Sequence, residues 1–289
     1  MAGYHRPLTL EEALAIRRAG PVTVLAGGTD VYPARAARAG WGDLRHADIL
    51  DISAVAGLRG ISAADEHWRI GALTTWTDVL GATLPSLFDG LKLAAREVGG
   101  VQIQNRGTLA GNLCTASPAG DGAPNLLALD AKVELASSGG VRTVAVGDFI
   151  DGYRHTVLRP EEIVTAILVP ARANATRSRF LKLGARKYLV ISILMVAGVI
   201  EVDAAGRILA ARLAVGACSA VAQRLVRLEA ALIGQPLWAA AELAAGAHCE
   251  GLSPIDDIRG SAAYRRWAAL ALTRDLLKGL ARDWQGRAA

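Results

Sequence analysis

Residues 101–124, VQIQNRGTLAGNLCTASPAGDGAP, constrain the fold of this chain more than any other stretch. Glycines at 107, 111, 120 and 122 and prolines at 118 and 124 break up a run of hydroxyl and carboxamide side chains. Glycine loses the most backbone entropy in a regular element, and proline lacks the N–H that would continue one. The run therefore reads as a loop, and a loop of this kind on a rigid scaffold reads as a binding surface. Residues 26–30, AGGTD, form a shorter counterpart after the apolar run 22–25. Two Gly/Thr-rich loops able to aim N–H groups at one ligand imply a long anionic ligand gripped in two places.

The remainder of the chain supplies the scaffold. Thr9 to Glu12 is a capping box that opens a helix to about residue 19, ended by Gly20 and Pro21. Residues 22–25 read as a buried strand, 31–39 as a helix and 48–52 as a strand, an order that predicts a small parallel sheet. Next come a strand at 68–72, a short helix near Asp78 and a helix at 87–98 stopped by Gly99 and Gly100. After the central loop the pattern predicts a helical turn at 123–129, a strand pair at 132–135 and 141–144, and a strand at 163–168. Residues 171–177, ARANATR, read as an interdomain linker. Beyond them, strands at 180–183, 191–202 and 209–215 precede helices at 224–232, 238–248 and 262–280, the order of an α+β second domain.

The glycine loops narrow the chemistry. AGGTD lies between a strand and a helix, where amides converge on phosphate, but its spacing is neither GxGxxG nor GxxxxGK[ST], so the Rossmann and P-loop readings fail. By itself Gly27-Gly28 reads first as a plain turn. In the second loop Thr108, Gly111 and Asn112 offer a hydroxyl, an amide N–H and a carboxamide, with Thr115, Ser117 and Asp121 just beyond. A carboxylate would repel phosphate, so Asp121 either accepts from sugar hydroxyls or an N–H, or caps a helix. Arg106 either pairs with phosphate or is solvated.

Composition removes other classes. Over 289 residues, 52% hydrophobic and 20% charged content is ample for a core, and the length predicts two domains. A net charge of +5 with scattered arginines argues against nucleic-acid binding. Cys114, Cys218 and Cys249 form no framework or metal motif and are too few for an iron–sulfur cluster, which takes about four thiolates. No metal site is expected. No apolar run reaches the roughly 18 residues of a membrane span and no signal pattern opens the chain, so a cytoplasmic protein is expected.

Four segments together carry a resemblance: AGGTD, QNRGTLAGNLCTASPAGDGAP, KLGARKYLVISIL and SPIDDIRGSAAYRRWAALALTRDLL. They resemble the FAD-binding medium subunit of the molybdenum hydroxylases, the family of xanthine dehydrogenase and aerobic carbon monoxide dehydrogenase, over about residues 8–277. The resemblance implies an α+β protein. An FAD-binding domain of the vanillyl-alcohol-oxidase (PCMH) type would span 1–171, with two α/β subdomains at about 1–57 and 58–171. A C-terminal domain at 177–282 would hold a three-stranded antiparallel sheet and a helical bundle.

The same resemblance implies that Leu25, Ala26, Gly27, Gly28, Thr29, Asp30 and Val31 form the first dinucleotide loop. Thr108, Leu109, Ala110, Gly111 and Asn112 match the second, and Thr115 and Asp121 match positions holding the ribityl or adenosine part. Ile163 matches a position whose backbone meets the flavin ring, and Lys182 a lysine beside it. From the residues alone, Ile163 would be core and Lys182 a surface lysine. Tyr188 either stacks near the flavin or packs in the core, and Cys114 reads as a small buried hydrophobe. Ala110 stands where the family often has glycine, which would carry strain if that position needs a positive φ.

The implied cofactor is non-covalent FAD, with the molybdenum cofactor and 2Fe-2S clusters in separate large and small subunits. The implied assembly is a dimer of heterotrimers serving an acceptor such as NAD, a quinone or oxygen. The family branch with a cluster in this subunit needs an inserted cysteine loop, which is absent. Two other readings stay open: a self-sufficient FAD oxidase, which would need its own acid/base pocket, and an assembly subunit that has lost FAD.

Overall fold

The computed structural model describes residues 3–43, 47–172 and 176–285. The N-terminal unit runs β1 (Tyr4–His5), α1 (Leu10–Ala19), β2 (Val22–Leu25), α2 (Val31–Gly40) and β3 (Asp48–Asp51). Its strands form a parallel sheet in the order β1-β3-β2. The Thr9–Glu12 capping box opens α1, with Thr9 accepting from Glu12 N–H and the Glu12 carboxylate answering at the Thr9 N–H. The two-residue strand β1 escapes sequence reading because it is too short to show alternation.

The middle unit holds β4 (Ile61–Ala63), β5 (His67–Gly71), α3 (Trp76–Gly81), α4 (Asp89–Glu97), α5 (Val101–Arg106), α6 (Leu109–Thr115) and α7 (Gly122–Ala128). It continues through β6 (Lys132–Ser137), β7 (Gly140–Ala145), α8 (Val146–Phe149), β8 (Ile150–Gly152), β9 (His155–Thr156) and β10 (Ile163–Pro170). The sheet order is β4-β5-β10-β6-β7, all antiparallel, and β10 is buried at its centre. Residues 101–124 are not a loop. Three short helices occupy most of the stretch, with breaks at Gly107 and over residues 116–121. Helices of six or seven residues are marginal alone; α6 and α7 persist because Leu109, Leu113 and Leu126 are buried in the main core, whereas α5 buries no residue.

The C-terminal unit carries β11 (Arg177–Leu183), β12 (Leu194–Val202), β13 (Ile208–Gly216) and β14 (Gln223–Arg224), then α9 (Val226–Leu232), α10 (Ala240–Leu243) and α11 (Ala262–Gln285). Its antiparallel sheet has the three long strands expected plus β14, a two-residue edge strand where a helix start was expected. The helix expected at 238–248 is broken into α10 and two 3-10 turns. Arg274 of α11 takes the Ala244 carbonyl with both Nε and Nη2, at 3.0 and 2.6 Å, so that oxygen cannot continue a helix. Of the expected linker, residues 173–175 lie outside the described residues.

Strand β12 shows how the units join. Met195, Ala197 and Val199 lie in the core shared with the middle unit, while Leu194, Val196, Ile200 and Val202 lie in the core under α9–α11. Side chains alternate along a strand, so burial on both faces produces the continuous apolar run at 193–200. Across the junction Gly90 N–H donates to Ser178 Oγ at 2.8 Å. No helix among the described residues is long and apolar enough to cross a membrane.

Candidate functional site

Strand β2 ends at buried Leu25, and the chain turns through residues 26–30 into α2. Gly28 sits at φ 75°, in the left-handed region that disfavours side chains. Gly27 has no room for one: a Cβ there would lie 1.8 Å from the carbonyl oxygen of Arg106. The two glycine segments are therefore pressed together, backbone to backbone. Arg106 ends α5, and Gly107 then passes its carbonyl to the Trp76 N–H at 3.2 Å.

Thr108 caps α6, its Oγ1 accepting from Gly111 N–H at 2.9 Å. That amide is already occupied, contrary to the expectation that it faces a ligand; the Thr108 O–H remains a donor. The Asn112 Oδ1 accepts from Gly122 N–H at 3.0 Å, which braces α6 against the start of α7 and leaves the amide N–H₂ as its donor end. Ala110 lies in the helical turn and is absent from the positive-φ residues, so the alanine carries no left-handed strain.

Both segments face one cleft of about 900 Å³, walled by all three units. Ala26, Gly27, Gly28, Thr29, Asp30 and Val31 line it, as do Thr108, Ala110, Gly111 and Asn112. Thr115, Asp121, Ile163 and Lys182 line it too. Leu25 and Leu109 do not; they are buried anchors under the two segments. The Thr115 hydroxyl donates to Asp30 Oδ2 at 3.4 Å across the cleft.

Asp121 does not cap α7 with its side chain. Its carboxylate is 2.6 Å from Lys182 Nζ and accepts from Ser192 Oγ at 2.7 Å, with both charged side chains only 5% exposed. Lys182 is thus no surface lysine: it is one half of a buried pair. Burial pushes the Asp121 carboxyl above its ordinary value, opposed by Lys182 and Ser192. Glu97, whose carbonyl also accepts from Lys182, is pushed up by burial as well. Glu162 lines the cleft beside Ile163, and a bidentate bond from Arg142 holds its carboxyl below the usual range.

Other residues depart from expectation. Cys114 opens into the cleft and is exposed there, not buried as a hydrophobe. Tyr188 is exposed and carries the Lys187 ammonium 5.2 Å from its ring centre, while Leu189, Val190 and Ile191 line the cleft. Arg106 lies outside the cleft wall. Trp76, buried on α3, and Arg154, at the β8–β9 turn, line the cleft without any motif that would have singled them out.

The model of the FAD binding domain in molybdopterin dehydrogenase matches residues 1–172, and that of the CO dehydrogenase flavoprotein C-terminal domain matches 179–280. The nicotinate dehydrogenase FAD-subunit of Eubacterium barkeri is 34% identical over 241 residues, covering 81% of this chain and 80% of that protein. The nicotine 6-hydroxylase medium subunit of Paenarthrobacter nicotinovorans is 30% identical over 276 residues, covering 94% of each. Among solved structures, carbon monoxide dehydrogenase of Hydrogenophaga pseudoflava superposes with a TM-score of 0.84 at 28% identity, covering 96% of each chain. Quinoline 2-oxidoreductase of Pseudomonas putida 86 does so with a TM-score of 0.85 at 28% identity, covering 98% of each.

Proposed function

The chain belongs to the family of FAD-binding domains of molybdopterin dehydrogenases, and from that premise we propose that it is the electron-transferring flavoprotein subunit of a three-component molybdenum hydroxylase, with FAD held non-covalently. The reading places the FAD-binding domain at about 1–171, its subdomains at about 1–57 and 58–171, and the C-terminal domain at about 177–282. Its partners are a large subunit with the molybdenum cofactor and a small subunit with 2Fe-2S clusters, assembled as a dimer of heterotrimers in the cytoplasm. Bound FAD supplies a carrier of two electrons between the partner's clusters and an external acceptor: NAD, a quinone or oxygen.

One observation carries the reading: Gly27 abuts Arg106, so segments 26–31 and 107–112 open onto a single cleft. Its volume, about 900 Å³, lies in the range of sites that enclose most of a small organic ligand, about 300–1,000 Å³. The chain's own residues divide the work of holding the cofactor. Gly27 and Gly28 leave the backbone bare for a pyrophosphate, and Thr29, Thr108 and Asn112 offer hydroxyl and amide donors. Thr115 and Asp121 face the ribityl or adenosine part. Ile163, with backbone fixed at the centre of the sheet, meets the flavin ring. Lys182 is oriented there by Asp121 and Ser192.

The test is the visible spectrum of the purified chain, with the released chromophore identified by mass. FAD at near one per chain is the expected result. A colourless protein that also takes up no added FAD would overturn the reading in favour of an assembly subunit.

A further inference from the structure

The cleft has an unusual charge balance. Its acidic and basic side chains are Arg17, Arg154, Lys182, Asp30, Asp121 and Glu162. Lys182 is matched by Asp121 within a buried pair. Glu162 is matched from behind the wall by Arg142. Arg17 is tied by Nη1 to the Val22 carbonyl at 2.7 Å, beside the start of β2 and away from the glycine turn. Asp30 and Arg154 remain, and their side chains meet in the cleft wall at 3.6 Å.

Arg154 occupies the turn between β8 and β9 with φ 52°, a left-handed conformation uncommon for a side-chain-bearing residue. Its N–H donates to the Ala116 carbonyl at 3.0 Å, which ties the turn to the end of α6. Its Nη1 stands 3.6 Å from Asp30 Oδ2, the oxygen that also receives the Thr115 hydroxyl. The ion pair is long, and both side chains are about half exposed, 49% and 54%. Such a pair contributes little to folding. Yet Asp30 directly follows Gly27, Gly28 and Thr29, so an uncompensated carboxylate there would oppose any phosphate brought to that turn.

We propose that Arg154 is a further binding residue for the pyrophosphate of FAD, cancelling the Asp30 charge on one side and pairing with phosphate oxygens on the other. The proposal rests on the FAD reading of the cleft. A guanidinium carries five N–H donors in a planar fork; its contact with Asp30, 3.6 Å from Nη1, is too long for a hydrogen bond, so the fork has donors to offer a second anion. The β8–β9 turn holds that fork beside the glycine turn, in contact with Asp30 at its end, within reach of a phosphate brought to the same turn.

The experiment titrates the deflavinated full chain with FAD and, separately, with riboflavin, which has no phosphate, following flavin fluorescence. Arg154→Ala should weaken FAD about ten- to a hundredfold, the range of one charge-assisted contact, and leave riboflavin affinity unchanged. Arg154→Lys should retain most of the FAD affinity. Adding Asp30→Asn to Arg154→Ala should recover part of the loss, because the repelling carboxylate is gone. Equal FAD affinity in wild type and Arg154→Ala would overturn the proposal while leaving the FAD site standing. A parallel fall in riboflavin affinity would also overturn it, since Arg154 would then be holding the wall rather than the phosphates. A wild-type chain that binds no flavin would overturn both readings. Arg154→Gln, which keeps the stem, carries the same comparison if the alanine variant does not fold.

Discussion

Gly27 and Arg106 touch through their backbones: a Cβ on Gly27 would lie 1.8 Å from the Arg106 carbonyl oxygen. Nothing at that contact can rotate away, since the obstructing atom is main chain. Gly27→Ala must separate the two cofactor segments, at a cost of about 2 kcal/mol for overpacking. The expected outcome is a lower melting temperature together with loss of bound flavin at purification. An alanine variant that keeps both would show that the segments stand apart in solution.

Gly111 tests the second segment. A Cβ there would stand 2.8 Å from Thr108 Oγ1, the atom that caps α6. Gly111→Asp both displaces that cap and brings negative charge to the wall of the cleft. It should purify without flavin, measured by the ratio of visible to ultraviolet absorbance. Full flavin content in this variant would refute the placement of pyrophosphate at this segment.

Lys182 and Asp121 form a buried pair, and removing one partner strands the other. Lys182→Met should destabilise the chain by about 3–5 kcal/mol at neutral pH, measured by urea unfolding. The Lys182→Met, Asp121→Asn double variant should recover much of this. Because burial raises the folded-state value of Asp121, its burden on the fold is absent below its unfolded value, about 3.9, and grows as pH rises through the folded value. The penalty of Lys182→Met should therefore shrink toward acid pH; a penalty independent of pH would contradict it.

Glu162 titrates the opposite way. The bidentate bond from Arg142, helped by the Arg159 N–H, lowers its folded-state value. Its contribution is complete above the unfolded value, about 4.3, and is lost as pH falls through the folded value. Glu162→Gln should remove about 2 kcal/mol at pH 7 and flatten the acid limb of the stability–pH curve. An acid limb unchanged from wild type would count against this ion pair.

Cys114 faces the cleft and is exposed there. Its thiol should therefore be open to alkylation in the flavin-free chain, faster as pH rises and the thiolate forms. Saturating FAD should protect it. Equal modification by iodoacetamide with and without FAD, located by mass spectrometry, would contradict its place in the cofactor cleft.

Much of the local structure was legible along the chain. Thr9 and Glu12 read as a capping box because both bonds close within four residues. The parallel order of the N-terminal unit followed from β-loop-α-β alternation. The 101–124 stretch reads as a loop because its glycines and prolines weigh as helix breakers over the whole run. They fall instead between or at the starts of three short helices: Gly107 between α5 and α6, Pro118 between α6 and α7, Gly122 at the start of α7.

The sequence by itself determined the elements whose causes are local: caps, turns that need glycine, and apolar periodicity. It also determined family membership, because the motif residues are themselves the signature. Only the tertiary structure decided which distant groups share the cleft. Asp121 finds Lys182 across 61 positions and Thr115 meets Asp30 across 85, pairings that no spacing rule along the chain encodes. Arg154 reaches Asp30 only because the β8–β9 turn is bonded to the end of α6. Such contacts depend on how sheets and helices pack in three dimensions, and packing is a property of the assembled core, not of neighbouring residues.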